Sequence, residues 1–210
     1  SRPNVIRHFI LVDGKYPEGR RKLYEQEGRQ CDVYLPRAMA GLSYFAYVRQ
    51  LREGSVPQSY LDALRDTTEW AMEKMKPDTG WFDWQCAYEV EGGCHAFLGN
   101  MYLAEATQGY YLLAAARRDV PAARLAAECT KRALDFVTDH DRFTSRFKGP
   151  FEFWVGPYLY WQFTEYLGSI GPDPKFREYL NMLHAGWAEK RGWQDFTQRT
   201  GTSPLFRANE

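Results

Sequence analysis

Residues 96–116 read AFLGNMYLAEATQGYYLLAAA, and Glu105 is the only charge among them. The run is too long for a strand, and Asn100, Glu105, Thr107 and Gln108 interrupt it too often for a membrane span. It reads as a helix that is apolar on every side, and such a helix has to be buried on every side. The segment after it is of another kind. Ala122–Thr138 places Leu125, Cys129, Ala133, Phe136 and Val137 on one stripe, the pattern of a helix with one face in a core.

This pair recurs on both sides. Upstream, Leu35–Gln50 carries no charge between Arg37 and Arg49. It is followed by an amphipathic helix, Gln58–Lys74, with Leu61, Leu64, Thr68, Ala71, Met72 and Met75 on one face. Asp62, Arg65, Asp66, Glu69 and Glu73 lie on the other. Downstream, Phe153–Ser169 has Glu165 as its only charge, and Lys175–Lys190 turns Phe176, Leu180, Leu183 and Trp187 inward. Asp173 before Pro174 is a good cap followed by proline at the first helical position. The apolar helices share a glycine early on: MAGLSYFA around Gly41, FLGNMYLA around Gly99 and WVGPYLYW around Gly156, spaced 58 and 57 residues apart. Tyr44 and Tyr102 each stand three residues after the glycine; the third copy has Leu159 there. Glycine inside a helix costs stability against alanine, so close helix–helix approach is the expected reason for it.

The expected fold is therefore all-α: three helical hairpins, each with an inner buried helix and an outer amphipathic one. Residues 1–34 read as an N-terminal arm, with some strand character at Val5–Val12. Residues 35–192 form the repeat domain and 193–210 a C-terminal tail. Connections from inner to outer helices are short and those from outer to inner helices long. The long loops then collect at one end, over the N-termini of the inner helices, where unsatisfied N–H groups and partial positive charge favour a site.

Composition narrows the rest. The chain has 210 residues, enough for one sizeable core, and a formal net charge of zero, which argues against a nucleic-acid or anionic-membrane partner. Aromatics make up 16% of residues, which suits either a heavily aromatic core or stacking surfaces for sugars, the core reading being the plainer. Four cysteines do not force a disulfide framework, and Cys129 on its apolar stripe reads as a buried thiol. No secretory signal stands at the start of the sequence. The compartment is secreted or periplasmic if a signal has been removed upstream, and cytoplasmic otherwise.

The long loop Lys76–His95, KPDTGWFDWQCAYEVEGGCH, concentrates the reactive side chains. A connection of that length is usually functional or disordered, and disordered linkers are poor in aromatics. Glycan chemistry needs acid and base groups with stacking rings. Asp83, between Phe82 and Trp84, is in surroundings that raise a carboxyl pKa; Glu89, Glu91 and Glu152 are its partners in a hydrolase. A lyase or epimerase would use His95 or Tyr88 as proton shuttle, with a cation for a uronate carboxylate from among Arg37, Arg142, Arg146 and Lys148. Trp81, Trp84 and Trp154 are the expected stacking rings. Locally paired or solvated charges are the plainer account of any single one of these residues.

Inner and outer layers built from hairpins of this length resemble the (α/α) toroids, the architecture of the six-hairpin glycosidases, toroidal polysaccharide lyases and sugar 2-epimerases. The resemblance spans residues 35–190 and is one of pattern. It implies a carbohydrate-active enzyme, a glycoside hydrolase or polysaccharide lyase acting on an oligosaccharide or polysaccharide and needing no cofactor. Three hairpins are half of a six-hairpin ring. The chain is then part of something larger with further hairpins upstream, an open arc, or a piece that closes by self-association. A more local resemblance is carried by Cys94-His95-Ala96-Phe97-Leu98-Gly99-Asn100-Met101-Tyr102, which is similar to the Cys-His-Gly-x-x-Gly-Asn-x-Tyr motif of the lanthionine synthetase cyclases, where adjacent Cys and His bind zinc. Ala96 replaces the motif's first glycine, and residues 35–41 lack the family's further cysteine, so Cys86 or Cys31 would have to supply the third ligand. That resemblance implies a zinc-dependent, cyclase-like protein. A third class is a non-catalytic helical scaffold that binds a glycan or peptide.

Overall fold

The structure, a computed structural model, describes residues 35–75, 94–139 and 152–189. Six helices run through them: α1 (Leu35–Glu53), α2 (Gln58–Lys74), α3 (Cys94–Ala116), α4 (Val120–Asp139), α5 (Glu152–Ser169) and α6 (Pro174–Glu189). These are the six expected helices. The largest difference in a boundary is at the end of α1, which runs to Glu53 instead of Gln50. No helix among the described residues is long and apolar enough to cross a membrane. The arm 1–34 and the tail 193–210 lie outside the described residues. The helices divide into two compact units, α1–α4 before residue 141 and α5–α6 after it.

In the first unit α3 is the central element. It packs along α1 on one side and along α4 on the other, while α2 lies against α1 and α4. From Gly99 to Tyr110 every residue except half-buried Glu105 is buried, as a helix apolar all round requires. α1 and α3 run parallel. Near their starts the Arg37 Nη2 donates to the Tyr102 hydroxyl at 3.0 Å. Near their ends the Arg117 Nη1 donates to the Gln50 Oε1 at 3.0 Å. Between these, a Cβ placed on Gly109 would collide with the Ser43 Oγ and lie 3.0 Å from the Tyr44 ring.

The facing residues are 65 to 67 apart in sequence, whereas the glycine repeat relates the two helices at a spacing of 58. α3 is therefore slid by roughly two turns relative to α1, and its first residues, Cys94–Asn100, extend past the start of α1. This slide changes the role of the repeated glycine. Gly41 is exposed, and a Cβ placed on it would meet nothing within 4 Å, so it is not the point of close approach. Gly109, outside the repeat, is that point.

α1 also departs from expectation in its burial. Met39 and Ala46 are fully buried and face inward with Ala40 and Ser43, but Phe45, Val48 and Leu51 are 56%, 49% and 62% exposed. The helix is apolar all round, yet this row stays open to solvent. On α2 the buried row is Leu64, Asp66, Thr67, Thr68, Ala71 and Met75, with Leu61 and Met72 half-buried. Asp66, expected on the solvent face, is 8% exposed and accepts from Arg65, whose guanidinium reaches both Asp66 (3.3 Å) and Asp62 (3.1 Å).

The α3–α4 hairpin is closed by a buried polar contact. Thr107 Oγ1 and Thr130 Oγ1 lie 2.7 Å apart, each also near a carbonyl one turn back in its own helix. Two hydroxyl protons then serve the cross-helix bond and one backbone acceptor, so neither hydroxyl is buried without a partner. Beside them Cys129 is a free, fully buried thiol, and burial pushes its pKa up from 9.0 to about 12. The turn at 117–119 is a Schellman closure. Asp119 N–H donates to the Ala114 carbonyl and Arg118 N–H to the Ala115 carbonyl, with Arg118 in the left-handed region at φ 58°. Asp119 then caps α4, its Oδ1 accepting from Ala122 N–H at 3.1 Å.

The second unit is one antiparallel hairpin held by rings. Phe163 packs on Phe176 (5.2 Å) and Tyr179 (4.8 Å), and Tyr166 packs edge-on against Phe176 (4.8 Å). Edge and tilted geometries of this sort add to the area buried. Leu183 is buried in the same hairpin and Leu180 half-buried, while the side chain of Trp187 lies outside the described residues. Asp173 caps α6 as expected, accepting from Phe176 N–H at 3.1 Å. Among the described aromatics Phe136, Phe163, Phe176, Tyr102, Tyr110, Tyr166 and Tyr179 are buried.

Candidate functional site

The parallel α1–α3 pair brings two inner-helix N-terminal ends to one side, while the turns at 54–57 and 117–119 lie at the other. The described side chains at the N-terminal end centre on Arg37. It stands exposed in the first turn of α1, which contains no acidic residue. A cation there opposes the helix dipole, so the position is electrostatically unfavourable without an anion nearby. Among the described residues its partner is neutral. The guanidinium carbon sits 4.2 Å from the centroid of the Tyr102 ring, and one of its N–H groups bonds the Tyr102 hydroxyl.

Tyr102 is 3% exposed and therefore a fixed platform. The stacking orients a long, otherwise mobile side chain, and the phenol takes only one of five guanidinium donors. What remains is a full positive charge with donors in a planar fork, the arrangement that binds a carboxylate or phosphate through two bonds. On α3, Asn100, Thr107 and Gln108 are buried polar residues. Tyr110 is no candidate for a base, since burial first, and the charge of Asp119 next, push its phenol up to about 12.

Most of the residues expected in a site fall elsewhere. Trp81, Asp83, Trp84, Cys86, Tyr88, Glu89, Glu91, Arg142, Arg146 and Lys148 lie outside the described residues, as does Cys31. Cys94 and His95 are the first two positions of α3, in the part that extends past α1; their side chains lie outside the described residues. Glu152 and Trp154 open α5 in the second unit, and the same holds for their side chains. Arg37 is the expected cation that the structure describes in full. Its partner Tyr102 is marked in the sequence as a residue recurring after the glycine and as the tyrosine of the cyclase-like motif. Asn100 and Gln108 were visible as polar interruptions in the apolar run. Comparison with family models, with curated proteins and with solved structures finds no match for this chain.

Proposed function

We propose that the chain is a carbohydrate-active enzyme of the hydrolase or lyase type, an arc of an (α/α) toroid whose site lies at the N-terminal end of its inner helices. The observation that supports this reading is the Arg37 guanidinium fixed on the buried Tyr102 ring at that end. A cation held by a neutral partner suits the carboxylate of an acidic sugar. The aromatic and acidic residues of the 76–95 segment supply stacking rings and proton-transfer groups. In this reading Asp83 does acid or base work, with Glu89 and His95 as the other proton-transfer groups. Trp81, Trp84 and Tyr88 contact the sugar.

The test is a screen of neutral and uronate-containing polysaccharides for new reducing ends or unsaturated products. Activity on a uronate polymer that falls at least tenfold in Arg37→Met, mainly through KM, supports the reading. Activity that survives Asp83→Asn would remove that residue from the site. No activity on any polymer leaves the binding scaffold as the better account. Zinc bound stoichiometrically by the purified protein would move the reading to the Cys94–His95 pair at the start of α3.

A further inference from the structure

We draw no further inference here: the strongest candidate, the surface patch on α5 where the exposed Trp161 ring lies 5.8 Å from that of Tyr158, is an aromatic helix face, and nothing in the structure shows what covers it.

Discussion

The two sides of α1 are alike in sequence and opposite in structure. One side buries Met39, Ser43 and Ala46, at zero exposure in each case, with Ser43 against Gly109 of α3. The other offers Phe45, Val48 and Leu51 to solvent. Hydropathy alone does not separate them, because every residue between Arg37 and Arg49 is uncharged. What separates them is the partner. α3 lies on one side with Gly109 opposed to Ser43 and Tyr44, and no described element of the first unit covers the row on the other. An apolar helix states how much cover it can use; the neighbouring elements decide how much it gets.

The difference can be broken by substitution. Met39→Ala on the covered side should cost about 3 kcal/mol, through lost transfer energy and a cavity, read as a lower midpoint in urea. A cost under 1 kcal/mol there would mean that the covered side of α1 is loosely packed. Gly109→Ala should cost about 2 kcal/mol, since the new methyl meets the Ser43 Oγ and the Tyr44 ring. Combining it with Ser43→Ala should return part of that loss, and strict additivity in the cycle would show that the two positions are not in contact. On the open side the same glycine-to-alanine change should have the opposite sign. Gly41→Ala meets nothing and should stabilise by about 0.5–1 kcal/mol, measured as a raised Tm. The smallest effect is expected for Phe45→Ser, within about 0.5 kcal/mol of the parent in denaturant unfolding. A large loss there would mean that the row is part of the core.

Much of the architecture was legible because helical periodicity and charge are local signals. The six helices and the Asp173 cap follow from residues within one or two turns of each other. The slide of α3 along α1 was not legible. It depends on which surfaces interlock, and the repeated glycines suggested a spacing of 58 where the contacts use 65 to 67. Asp66 was missed for a related reason. A carboxylate among charged neighbours reads as solvent-facing, yet Arg65 lies alongside it and lets it be covered. Arg37 was legible as a cation at the N-terminal end of α1. The ring beneath it was not, because Tyr102 is 65 residues away.

Cys129 gives the first unit a built-in clock. The thiolate is the nucleophile toward alkylating reagents, and burial keeps this thiol protonated well beyond neutral pH. Reagent therefore reaches a reactive sulfur only after α4 has parted from α3. The rate at which the peptide containing Cys129 gains label, followed by mass spectrometry, measures how often the unit opens, in water and with no denaturant. A substitution that loosens the α3–α4 hairpin without unfolding it would change that rate well before it moved a melting curve.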